Sequence, residues 1–181
     1  MSKERSRYCW NRLKDRIFNF DKREKDRNYE NCSICEEWLE YSNFKKWFDE
    51  NYYEIEGQRM CLDKDILHKG NKIYNPENCI FVPNNINLLF TKRQKNRGGL
   101  PIGVCFNKQA NKFQANCRIF STETEKSLKK TLGLFNTSEE AFLKYKEAKE
   151  QNIKVMADYY KDAIPQKLYD AMYNYVVEIT D

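Results

Sequence analysis

The sequence predicts an α+β chain: a helical N-terminal part carrying a ββα unit, then a three-stranded antiparallel sheet packed on a helix, then a C-terminal helix. Three observations lead there. Residues 4–20 place Tyr8, Leu13, Ile17 and Phe20 near helical spacing. Residues 102–135 hold three β-prone stretches separated by turns, IGVCFNK, KFQANCRIF and KKTLGLF. A long stretch after them, TSEEAFLKYKEAKEQNIKVMADYY, keeps its apolar residues close to the 3.6 period. Two domains follow from this, 1–97 and 98–181.

Composition narrows the function. Aromatics make up 14% of the 181 residues, enough apolar mass for a core despite a mean hydropathy of −0.90. No apolar run reaches the roughly 18 residues of a membrane span, and MSKERSRYCWNR lacks the apolar region of a signal peptide. Seven cysteines without a secretion signal point to reduced thiols and a cytoplasmic location. The net charge of +5 fits a nucleic-acid partner. Abundant Lys, Asn, Ile and Tyr fit an AT-rich coding bias, common in phages and low-GC bacteria.

In chain order, the first helix is crowded by Arg5, Arg7, Arg12, Lys14 and Arg16. A solvated face is the expectation, with phosphate contact as the alternative. Cys32 and Cys35 have zinc-ligand spacing, but Cys61 and Cys79 stand alone, so buried free thiols are expected and a structural zinc is not. Residues 41–52 read as a helix capped by Ser42, with Trp38, Phe44 and Trp47 behind the strand that follows. Leu62–Leu67 reads as that strand, with Asp63 and Asp65 on one face and Lys64 on the other. His68 to Lys72 makes a turn. Cys79 to Val82 makes a second strand, and Pro83 with Asn84 and Asn85 opens a helix holding Asn87.

This order of Asp63, Asn78 and Asn87 resembles the HNH nuclease motif, a ββα-metal unit. The family places an Asp-His pair at the end of the first strand, an Asn at the second, and a His on the helix. The resemblance implies that Asp63 and Asn87 hold a divalent cation such as Mg²⁺ or Mn²⁺, and that Asn78 braces the loop. Lys64 stands where the family has its general base. A lysine with its usual pKa of about 10.4 is protonated at neutral pH and does not accept a proton from water. Asp65 is the candidate stand-in, and the only histidine, His68, is a turn residue. The plain alternative is that Asp63 and Asp65 cap a turn or flank a salt bridge.

Lys92, Arg93, Lys95 and Arg97, followed by Gly98 and Gly99, read as a basic linker suited to a phosphate backbone. Beyond it, Gly103-Val104, Lys112-Phe113 with Ala115, Leu132 to Thr137, Glu139 to Ala141 and Tyr145 resemble the APETALA/ERF-type DNA-binding domain. There the sheet enters the major groove. By position, Asn107, Lys108, Lys112, Gln114, Asn116 and Arg118 form the DNA-facing set. Amides and guanidinium are the groups that pair with adenine and guanine edges. Thr137 or Ser138, with Glu140, caps the long helix. Leu168, Ala171, Met172, Tyr175 and Val176 form a stripe that folds back onto another element, with a dimer interface as the second reading.

Together the two resemblances imply a phage or mobile-element protein of the HNH class, acting on double-stranded DNA as a metal-dependent endonuclease. The alternatives are a non-catalytic DNA-binding protein and a counter-defence protein that grips a host protein.

Overall fold

The computed structural model describes residues 2–19, 29, 31–91 and 98–181. The chain divides into two compact units, Met1–Asn87 and Leu88–Asp181. The basic stretch 92–97, with Lys92, Arg93, Lys95 and Arg97, lies outside the described residues. No helix among those described is long and apolar enough to cross a membrane.

The first unit opens with helix α1 (Ser2–Phe18), then a two-residue strand β1 (Ser33–Ile34), a 3-10 turn (Glu36–Leu39) and α2 (Tyr41–Asn51). Strands β2 (Met60–Asp63), β3 (Ile73–Tyr74) and β4 (Ile80–Pro83) and helix α3 (Asn84–Leu89) follow. β1 pairs with β3 in parallel, and β2 pairs with β4 antiparallel, Met60 facing Pro83 and Asp63 facing Ile80. One aromatic core holds these short pieces. Trp38 and Phe44 meet edge to face at 5.1 Å, Trp38 and Trp47 tilt together at 4.7 Å, and Phe81 of β4 meets Phe48 at 5.2 Å. Leu13 and Ile17 of α1 close the cluster. The polar tips are satisfied, since Trp10 donates to the Trp38 carbonyl at 2.7 Å and Tyr53 to the Phe81 carbonyl at 2.8 Å.

Two local expectations are corrected here. Helix α2 begins at Tyr41 with Glu40 at its N-cap, not with Ser42. Glu40 also ends the 3-10 turn, so the two elements abut and Ser42 falls inside the first helical turn. The first strand of the pair is Met60–Asp63 rather than Leu62–Leu67. The Asp63 carboxylate accepts the backbone N–H of Asp65 at 2.9 Å and of Ile66 at 2.8 Å, which turns the chain out of the ladder. Asp63 and Asp65 therefore do not share a strand face.

The second unit is a sheet on a helix. Strands β5 (Val104–Asn107), β6 (Lys112–Ser121) and β7 (Lys126–Phe135) run antiparallel in the order β5-β6-β7. Helix α4 (Ser138–Tyr160) packs on them through Ala141, Phe142 and Tyr145 against Val104, Ala115 and Cys117. Its start is a capping box. Thr137 Oγ1 accepts the Glu140 N–H at 3.2 Å, and Glu140 Oε2 accepts the Thr137 N–H at 3.3 Å. Helix α5 (Gln166–Tyr173) follows Pro165 and packs on α4 through the buried Leu168 and Met172. The tail returns to α4, where Lys146 donates to the Val177 carbonyl at 2.6 Å and the Glu150 carboxylate accepts the Val177 N–H at 2.9 Å.

Strand β6 outruns β5, whose pairing stops at Ala115. Past that point Gly103 accepts the Asn116 N–H at 2.8 Å, and the buried Asn152 of α4 accepts the Phe120 N–H at 2.6 Å. A side-chain amide thus stands in for the missing strand. Asn152→Leu should leave the Phe120 N–H unpaired and cost about 1–3 kcal/mol. A lower urea midpoint at unchanged m-value is the expected readout, and an unchanged midpoint would show that the bond adds nothing net.

Candidate nucleic-acid interface

Alternation along β6 sends Phe113, Ala115 and Cys117 toward α4 and leaves Gln114, Asn116 and Arg118 on the open face. Cross-strand partners share a face, so Cys105 and Leu134 stand beside Gln114, Thr131 beside Asn116, Lys129 beside Arg118, and Asn107 beside Lys112. Five of the six residues expected on this face are brought together, while Lys108 sits exposed in the turn after β5.

The polar groups form one connected row. Asn107 Nδ2 donates to Gln114 Oε1 at 2.8 Å, and Gln114 Nε2 donates to Asn116 Oδ1 at 2.8 Å and to Thr131 Oγ1 at 3.2 Å. Asn116 Nδ2 reaches the Cys105 sulfur at 3.3 Å. The amides are thereby fixed before any ligand arrives, which lowers the entropy cost of binding. Arg118 is exposed and is steadied by a 3.1 Å bond to the Ser127 carbonyl.

Charge is the second feature of the face. Among the described residues no carboxylate pairs with Lys112, Arg118 or Lys129, all three exposed. Arg118 and Lys129 lie directly opposite one another. Like charges directly opposite on a strand pair destabilise a sheet. Lys129 and Thr131 were missed by the sequence reading, which started the third strand only at Lys129 and assigned no register. KSLKKT holds one apolar residue, the exposed Leu128, so alternation gives no signal there.

The β2–β4 region in the first unit is arranged differently. Lys64 is buried, 3.4 Å from the Asp65 carboxylate and 5.9 Å from the centre of the Tyr74 ring. Asn71 Nδ2 donates to the Lys64 carbonyl at 2.7 Å and the Ile73 carbonyl at 2.8 Å, and Asn78 Nδ2 donates to Asn71 Oδ1 at 3.1 Å. Asn78 therefore braces the loop after β2 through Asn71. Asn87 is partly buried on α3, and His68 is exposed in the turn. Burial first, then the neighbouring Asp65 charge, pushes the Asp63 carboxyl up to about 6 from 3.8, against the pull of its two backbone N–H partners. The seven cysteines are all free thiols.

The donor set does not fit a built Mg²⁺ or Mn²⁺ site. One oxygen of Asp63 already holds the turn, burial makes its carboxylate costlier to form than that of a free aspartate, and Asn87 offers only a neutral amide. Among the described residues no three His, Cys, Asp or Glu side chains converge on one point.

Asp63 also sets a pH dependence. The folded chain keeps a proton on Asp63 that the unfolded chain has released between pH about 4 and about 6, so the charged carboxyl costs stability above that window and nothing below it. Asp63→Asn keeps the acceptor oxygen and removes the charge. It should raise the melting temperature at neutral pH by the equivalent of roughly 1–3 kcal/mol, with the gap closing as the pH falls toward 4. A gap independent of pH would mean that Asp63 is not the group responsible.

Comparison with protein-family models, with curated proteins and with solved structures gives no match to this chain. What the structure itself defines is a two-unit α+β chain whose second unit presents a cationic, amide-lined sheet face.

Proposed function

We propose that the protein is a DNA-binding protein of the phage or mobile-element HNH type, acting in the cytoplasm of a bacterial host, that grips double-stranded DNA through the open face of β5-β6-β7. The observation that carries this reading is the Arg118–Lys129 pair beside a pre-ordered row of Asn107, Gln114 and Asn116. Cations supply phosphate contact, and amides and guanidinium supply donors and acceptors for base edges. Binding of a labelled duplex, followed by anisotropy across a salt series, tests it. Lys112→Ala with Arg118→Ala should weaken binding and flatten the salt slope by about 0.9 per lost phosphate contact. Unchanged affinity and slope would remove the sheet from the interface, and a host protein as partner would then be the reading to pursue.

Metal-dependent cleavage is the second reading, favoured by one observation: β2 pairs with β4, which runs straight into α3, with the loop after Asp63 braced by Asn78. Against turnover stand the buried Lys64 and the Asp63 oxygen committed to the turn. Supercoiled plasmid with Mg²⁺ or Mn²⁺ is therefore expected to stay uncut. Nicking that is lost in Asp63→Ala would establish the endonuclease instead.

A further inference from the structure

The amide row on the open sheet face has a direction, and one backbone group sets it. The Ala110 N–H, in the turn after β5, can only donate, and it donates to Asn107 Oδ1 at 3.0 Å. That bond fixes which end of the Asn107 amide is oxygen, so its nitrogen is the end that faces Gln114. The Gln114 oxygen receives it, and the Gln114 nitrogen is then the end that meets Asn116 Oδ1 and Thr131 Oγ1. Asn116 in turn aims its nitrogen at the Cys105 sulfur. The relay therefore runs one way, from the turn to Cys105.

What each amide has left to offer differs along the row. Both N–H groups of Gln114 are used, one on Asn116 and one on Thr131. Both lone pairs of Asn116 Oδ1 are taken, by Gln114 and by the Thr131 hydroxyl, which donates there at 3.2 Å. Gln114 thus keeps only an oxygen lone pair, and Asn116 only an N–H. Asn107 gives one N–H to Gln114 and one lone pair to Ala110, which leaves it one of each. A donor beside an acceptor on one amide is the couple that meets N7 and the N6 amino group of adenine together. Leu134 adds an apolar group to the same face: it is 45% exposed and pairs directly with Gln114. It stands two strands over from Asn107, about 10 Å across the sheet, so the two meet different base pairs.

We propose that Asn107 reads the N7 and N6 edge of an adenine and that Leu134 packs on the ring methyl of a nearby thymine, so that the face selects A·T over G·C pairs. This rests on the proposed grip of the sheet on double-stranded DNA, and it assigns the base-reading part of that grip. Guanine presents acceptors at both N7 and O6, so the Asn107 oxygen would face an acceptor and go unpaired. Cytosine has no ring methyl for Leu134 to cover. Lys112, directly opposite Asn107, supplies a phosphate contact that is blind to sequence.

The test uses the full chain and fluorescein-labelled duplexes of equal length, one of A·T pairs only and one of G·C pairs only, with binding read by anisotropy. The A·T duplex should bind roughly tenfold tighter. Two changes to the DNA then separate the contacts without touching the protein. An adenine analogue with C–H in place of N7 should remove most of that preference, and deoxyuridine in place of thymidine should weaken binding roughly threefold to fivefold. Asn107→Ala should be indifferent to the N7 change, and Leu134→Ala to the deoxyuridine exchange. Equal binding of the two duplexes by wild type, with affinity still falling in the Lys112→Ala, Arg118→Ala variant, overturns this proposal and leaves the sheet's grip on DNA standing. An A·T preference untouched by either DNA change comes from duplex shape and overturns it as well, as does tighter binding of the G·C duplex. Binding of neither duplex overturns this proposal and the sheet reading together.

Discussion

Gly103→Ala is expected to unfold the sheet-bearing unit while leaving the aromatic core of the first unit intact. Gly103 sits at φ +79°, in the left-handed region, just before β5. A Cβ there would overlap the Tyr145 ring at Cδ2 and Cγ, far inside van der Waals contact. Tyr145 cannot retreat easily, because it is buried among Val104, Ala115 and Phe142. Backbone strain costs about 1–3 kcal/mol and overpacking about 1–3 kcal/mol more, a large part of the roughly 5–15 kcal/mol that holds a domain together. The Gly103 carbonyl also receives the Asn116 N–H where the β6–β7 pairing shifts register, so a shift there reaches the amide row. Far-UV circular dichroism should show the loss. Tryptophan emission should not, since Trp10, Trp38 and Trp47, all three tryptophans of the chain, lie in the first unit. Adding Tyr145→Ala should recover part of the loss, a non-additive pair. A wild-type melting curve for Gly103→Ala would show that the ring moves aside freely.

The second large effect is expected from Arg118→Glu, and its two readouts move in opposite directions. Opposite Lys129, a glutamate replaces cross-strand repulsion by attraction and should stabilise the sheet by about 0.5–1 kcal/mol. The same change removes a cation from the proposed DNA face and adds an anion, so affinity should fall roughly tenfold to a hundredfold. A more stable protein that binds worse separates a functional charge from a structural one. A less stable protein with unchanged affinity would make Arg118 a folding residue, held for its bond to the Ser127 carbonyl.

The parts of the fold that a sequence shows well are those set by neighbours in the chain. Thr137 and Glu140 stand three apart before an apolar period, and the capping box is there. Gln114, Asn116 and Arg118 alternate with apolar residues, and the strand is there. The pairing of Arg118 with Lys129 is different in kind. It depends on the register of the β6–β7 hairpin, set by the turn before Lys126, where Glu125 takes φ +54°, and by the bulge between Ala115 and Asn116. Neither is written in the alternation of either strand. Asp63 shows the converse: the residue was singled out, but its carboxylate bonds its own turn, so the strand ends where a β-prone run continues.

Cys105 gives the molecule a reporter of its own. It is the one exposed thiol of the seven, and it stands on the open sheet face within reach of Asn116. The Cys9, Cys35, Cys61, Cys79 and Cys117 thiols are raised by burial and are correspondingly slow nucleophiles. The fast phase of alkylation by a small maleimide or iodoacetamide therefore times access to a single atom in the middle of the proposed contact. Whatever settles on the sheet slows that reaction, and a ligand held elsewhere leaves it at the rate of the bare protein.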